Sequence, residues 1–161
     1  MNSRKIAYCA LLSAVALLLS YVERLLAIPM IIPGMKLGLA NVAVLIALYL
    51  FDSKTAFGIS LLRILLSGFL FTGFASFLYS AAGAILSIAA MRAFQKTKRF
   101  SMVYVSIIGG INHNIGQMVI ACLVVENIKL LYYLPILLVL GAVTGFLTGI
   151  VGEKTIYYLK H

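Results

Sequence analysis

From Thr55 to Met91 the chain carries one charged side chain, Arg63. With its flanks, this apolar stretch is about 40 residues long, whereas one crossing of a bilayer takes about 20. A single straight helix would overrun the hydrocarbon. The stretch therefore reads as two crossings joined by a tight hairpin at Phe71-Thr72-Gly73-Phe74, with Gly68 and Gly73 as turn candidates.

The rest of the chain has the same character. Of its 161 residues, 63% are hydrophobic and 11% charged, and the mean hydropathy is +1.11. A water-soluble domain needs much more polar surface than this. Six apolar segments predict an all-α, polytopic membrane protein: helices over 5–26, 37–51, 55–71, 74–95, 101–125 and 132–158, in one integral membrane domain spanning 1–161. The basic start and apolar run at the N-terminus resemble a signal peptide, but no A-x-A cleavage site follows, so the run is expected to remain as the first helix.

The net charge of +9 is distributed in short runs between the apolar segments. If the N-terminus is inside, Arg4, Lys5, Lys54, Arg92, Lys96, Lys98, Arg99, Lys154 and Lys160 fall on the inner side. Arg24, Lys36 and Lys129 fall outside. Nine against three is a positive-inside bias, which places both termini in the cytoplasm. A charge spent on topology does not call for nucleic acid, and no basic patch with interleaved aromatics is present. Cys9 and Cys122 lie inside apolar segments without metal-ligand spacing and read as small buried hydrophobes.

Helix 5 contains Gly-Gly-Ile-Asn-His-Asn-Ile-Gly-Gln at 109–117. Residues three and four apart share a helix face, so His113, Asn114 and Gln117 form a polar stripe beside the Gly110 notch. Asn112 is expected to point toward a neighbouring helix. Polar groups in hydrocarbon need partners, because an unpaired one costs on the order of 2–7 kcal/mol. The stripe therefore either glues helices together or binds a ligand or handles protons. Arg63 lies too far from either helix end to snorkel easily. The chain has four carboxylates, Glu23, Asp52, Glu126 and Glu153, and none stands out as its mid-membrane partner. Lys36 and Asn41 open helix 2; Lys36 is either an interfacial anchor or part of the same site. Together Lys36, Asn41, Arg63, His113, Asn114 and Gln117 outline an outward-opening, positive pocket for a small molecule with an anionic or strongly accepting group. The apolar connection before it carries Pro29, Pro33 and Gly34, and reads either as a greasy linker or as a flap over that pocket.

Small residues recur at four-residue spacing as Gly141, Gly145 and Gly149 in helix 6 and as Ala10 and Ala14 in helix 1, with Ala7 one turn earlier. Such rows let helices approach closely. The helix 6 row suits internal packing, while the helix 1 row suits either packing or a partner protein. Several chemistries lack their parts. No G-x-x-x-x-G-K-[ST] is present, and one aspartate makes no cluster for magnesium diphosphate. Paired catalytic carboxylates and a Ser/His/Asp set are not evident. No cofactor or metal is expected, and catalysis by this chain alone is not expected.

Pro33–Asn41 (PGMKLGLAN), Ser60–Gly68 (SLLRILLSG) and the 109–117 segment resemble, in order and spacing, the bacterial Gx transporter family, also named heptaprenyl diphosphate synthase component I. That family is grouped with the S components of energy-coupling factor (ECF) transporters. The resemblance implies a six-helix ECF S-component-like bundle in the bacterial plasma membrane, with a substrate pocket in the outer half capped by the helix 1–2 loop. It also implies docking through an A-x-x-x-A row on helix 1, matched here by Ala10 and Ala14 with Ala7 alongside, onto a transmembrane coupling protein that carries two ATPases. A vitamin-, quinone- or isoprenoid-precursor-like substrate follows from the same resemblance. So does the alternative in the family's other name, a non-catalytic membrane subunit of heptaprenyl diphosphate or menaquinone synthesis, or of an extracellular electron-transfer assembly.

Overall fold

The computed structural model describes residues 3–25 and 36–160. The expected flap over 26–35 lies outside the described residues. All regular structure among them is helical: α1 (Ser3–Leu25), α2 (Asn41–Leu50), α3 (Ser53–Ser67), a π-helical turn (Gly68–Thr72), α4 (Gly73–Lys96), α5 (Met102–Val125), a 3-10 turn (Ile128–Tyr133) and α6 (Leu134–Lys160). Four stretches are long and apolar enough to cross a membrane: Ser3–Leu25, Ser53–Lys96, Met102–Val125 and Ile128–Leu159. The second helix, α2, is shorter and lies in the core, with Val42 through Leu48 all buried.

Ser53–Lys96 is 44 residues long, and the chain turns back within it. Gly73 adopts φ +79, ψ 174, a conformation a Cβ would oppose. Gly68 stays helical; its bare Cα makes room for Phe77, whose Cβ would lie 3.3 Å from a Cβ at position 68. Of the two turn candidates, Gly73 makes the break and Gly68 the clearance. Ser53, Lys54 and Phe57 at the start of α3 line one groove with Ile85 through Lys96 at the end of α4, so the two helices run antiparallel.

The helix starts have local causes. Asp52 caps α3 by accepting from the Thr55 N–H at 2.7 Å, and Ser101 caps α5 by accepting from the Tyr104 N–H at 3.2 Å. Helix 2 was expected from residue 37 but begins at Asn41. Gly38, at φ +93, holds the preceding segment out of helical geometry; its carbonyl accepts from the Asn41 N–H at 2.9 Å, while its N–H goes to a side chain of another helix, as described below.

α5 packs between α4 and α6 with almost no side-chain layer. A Cβ at Gly110 would collide with the Gly141 carbonyl, and one at Gly116 would lie 2.6 Å from the Ala82 carbonyl oxygen. One at Gly145 would lie 2.7 Å from the Ile107 Cα, and one at Gly149 2.8 Å from the Val103 Cα. The Gly141, Gly145, Gly149 row therefore serves internal packing. Without a hydrophobic drive between helices in lipid, such close approach is a main source of cohesion. Between the helices, the Ser106 and Thr148 hydroxyls bond at 3.0 Å.

One end of the bundle is basic. Lys5 pairs with Asp52 at 3.1 Å and sits over the Phe51 ring. The Gln95 amide donates to the Leu48 carbonyl at 3.0 Å. Tyr8 and Leu159 line the same groove. These contacts bring the start of α1, the α2–α3 and α4–α5 turns and the last turns of α6 to one side.

Candidate functional site

The site is built around a short non-helical strap, residues 36–40, that crosses the bundle interior before α2. The Gly38 and Leu39 carbonyls accept from the Asn41 (2.9 Å) and Val42 (3.2 Å) N–H groups at the start of α2, and side chains of three other helices supply further partners. Gln117 of α5 accepts from the Lys36 N–H and donates to the Lys36 carbonyl, both at 3.0 Å. Glu23 of α1 accepts through Oε1 from the N–H groups of Gly38 (2.6 Å) and Leu39 (2.7 Å). Thr144 of α6 donates to the Leu37 carbonyl at 3.1 Å.

The Lys36 side chain runs inward, is 8% exposed, and donates to Ser67 Oγ at 3.3 Å. Arg63, 1% exposed, donates through Nη1 to Ser20 Oγ at 3.1 Å. Its Nε and Nη2, though buried, have no hydrogen-bond partner among the described residues, and neither has Glu23 Oε2 or Asn41 Nδ2. The Glu23 charge acts on both Arg63 and Lys36 without touching the guanidinium. Taking a guanidinium out of water costs several kcal/mol unless its donors are used. Here one acceptor, a serine hydroxyl, is supplied, and two nitrogens are left over. At formal charges Lys36, Arg63 and Glu23 sum to +1, so the chemistry favours an electron-rich or anionic guest.

His113 is buried against Gly83, where a Cβ would come within 2.8 Å of its ring. Its Cδ2 and the Asn41 amide both flank Gly38. Asn114 turns the other way and donates to the Leu137 carbonyl of α6. The structure thus brings Lys36, Asn41, Arg63, His113 and Gln117 around one strap and directs Asn114 toward α6. Asn112 was expected to reach a neighbouring helix; instead its amide donates to the Ile108 carbonyl of its own helix at 2.9 Å, the local bond open to a short amide four residues on. Between Gly38, Asn41, Ser87, Gly109 and Thr144 the packing leaves no room for a water-sized sphere.

Sequence reasoning missed Glu23, which it set at the outer boundary with no role. The structure makes it the acidic member of the cluster. The signal was present: Leu12, Ala16, Ser20 and Glu23 fall at helical spacing, and the first three are the buried residues of α1. Ala7, Ala10 and Ala14 lie on the exposed face of α1. Beside that face a groove of about 480 Å³ runs between α1, α2 and α6, lined by Leu11, Val15, Ile46, Leu147 and Val151 among others. No group of three or more His, Cys, Asp or Glu side chains able to hold a metal occurs among the described residues.

The family model described as heptaprenyl diphosphate synthase component I matches residues 12–155. The chain belongs to this family. It is also similar to the riboflavin transporter RibU of Streptococcus thermophilus, 46% identical over 67 residues. That match covers 40% of this chain and 30% of the relative, so most of the transporter's length is outside it. No solved structure matches. The relation to S components drawn from the three sequence segments thus stands beside an independent match to a transporter. Together with its apolar helices, it identifies this family member as a multi-pass membrane protein.

Proposed function

We propose that this chain is the substrate-binding membrane subunit of an ECF-type transporter, with six crossings, both termini cytoplasmic, in a bacterial plasma membrane. It takes up a small vitamin-, quinone- or isoprenoid-precursor-like molecule from the outer face. The observation that carries this reading is the buried guanidinium of Arg63 with two nitrogens free beside Lys36. Arg63 and Lys36 draw the anionic or electron-rich part of the substrate. Asn41 and His113 border it, while Gln117 holds the strap that carries Lys36, and Asn114 ties α5 to α6 behind it. The basic end of the bundle supports the inner placement of both termini. Partner ATPases supply energy through a coupling protein docked on the Ala7, Ala10, Ala14 face.

The family's description supports a second reading, a non-catalytic subunit beside a prenyl diphosphate synthase. A lone aspartate cannot build the metal-diphosphate chemistry in this chain. Purification in mild detergent with identification of co-purifying proteins separates the two. A coupling protein with ATPases is the expected result; a soluble prenyltransferase in their place would replace the transporter reading.

A further inference from the structure

We propose that the groove between α3 and α4 at the basic end binds an anionic phospholipid, its phosphate on Lys54, Arg92 and Lys96 and an acyl chain along Phe57, Ile85 and Ile88. The groove holds about 600 Å³, and these six residues line it. Its chemistry is sorted by depth. Lys54 lies in the first turn of α3, and Arg92 and Lys96 lie in the last two turns of the antiparallel α4. Phe57 is one turn deeper, and Ile85 stands about 10 Å below Arg92 at 1.5 Å per residue. Cations therefore sit at headgroup level and apolar side chains at acyl-chain level.

Among the described residues no carboxylate pairs with any of the three cations. The ion pair among the described residues is Lys5–Asp52, and no hydrogen bond engages Lys54, Arg92 or Lys96. The groove opens sideways, toward the bilayer: Phe57 is 42% and Ile85 55% exposed. That favours a lipid over an acidic segment of a soluble protein, which would have to enter from the end. Basic pockets between membrane helices are suited to anionic headgroups, whereas a zwitterionic headgroup brings its own cation. Lys98 and Arg99 belong to the α4–α5 turn at the same end but do not line the groove, and they provide an internal control.

The test is native mass spectrometry of the purified protein with equal amounts of dioleoylphosphatidylglycerol and dioleoylphosphatidylcholine. The wild type is expected to retain the phosphatidylglycerol at least about tenfold over the phosphatidylcholine. The triple variant Lys54→Gln, Arg92→Gln, Lys96→Gln falls to near parity, and Lys98→Gln, Arg99→Gln keeps the preference. Arg92→Gln alone loses part of it, which serves if the triple variant does not purify. Inorganic phosphate, which has no chain, does not displace the retained lipid. Equal retention of both lipids by the wild type overturns the proposal. So does an equal loss in the control variant, which would reduce the effect to general charge, or displacement by inorganic phosphate, which would leave a site for the phosphate alone.

Discussion

The two halves of this molecule are held together by different physics. In α4–α5–α6, glycines bring backbones into contact and leave little to adjust. In the α1–strap–α3 half, the contacts around the strap are polar: Glu23 on the Gly38 and Leu39 amides, Arg63 on Ser20, Lys36 on Ser67. Close-packed backbones make a rigid wall. Hydrogen bonds from flexible side chains make an interface that can exchange partners. The proposed site lies between them, with His113 and Gln117 on the closely packed side and side-chain hydrogen bonds on the other.

The contrast is broken most severely at its rigid side. Gly110→Ala drives a methyl group into the Gly141 carbonyl, and α5 and α6 have no side-chain layer to yield. Overpacking of that kind costs about 1–3 kcal/mol or more. We expect a large drop in melting temperature and in yield of monodisperse protein. Gly58→Ala, at a position with nothing within 4 Å, should leave both unchanged. A tolerated Gly110→Ala would show that the wall is softer than its backbone contacts suggest.

Next in size is the strap. Gln117→Ala strips the Lys36 N–H and carbonyl of their partners. A buried group left unsatisfied costs about 1–3 kcal/mol. Hydrogen exchange should speed up at residues 36–39 while α4–α6 remain protected. Exchange that rises uniformly across the bundle would mean the two halves are not separable.

The smallest effect is expected at the basic end. The Thr55 N–H and the Lys5 ammonium hold the Asp52 carboxyl down at about 2. A depressed carboxylate contributes stability above its ordinary range near 4, and that contribution is lost as pH falls toward 2. Asp52→Ala should remove it along with the α3 cap, at a cost of about 1 kcal/mol, and flatten this part of the acid response. Asp52→Asn should keep most of the cap and lose the pH dependence. An unchanged acid profile in both variants would count against this role.

The sequence announced the apolar helices, the reversal near Gly73 and the polar stripe of α5, because each is written in local composition or in spacing along one element. It also singled out Arg63 and Lys36, since cations among apolar neighbours stand out one by one. It did not reveal that Glu23 belongs with them. Glu23 meets Arg63 and Lys36 across three separate elements, and an acidic residue near a helix end has an ordinary reading as solvated surface. The strap was read as helix for a similar reason. Leu37, Gly38, Leu39 and Ala40 are apolar or small, and the side chains that take up this backbone, Glu23, Gln117 and Thr144, are all distant in the chain. Likewise the amides of Asn112 and Asn114 were visible as polar groups, but their carbonyl partners on Ile108 and Leu137 were not.

The central claim is that the cluster of Lys36, on the strap, with Arg63 and Glu23 holds the substrate. Its most direct test is mass spectrometry of small molecules extracted from the protein purified from its native membrane, for the wild type and Arg63→Ala side by side. We expect a small molecule in the wild type at near one per chain. In Arg63→Ala it should fall at least about tenfold, the worth of one charge-assisted hydrogen bond, with helical content retained. The same molecule at equal occupancy in both proteins would contradict the claim and leave the buried guanidinium a purely structural group.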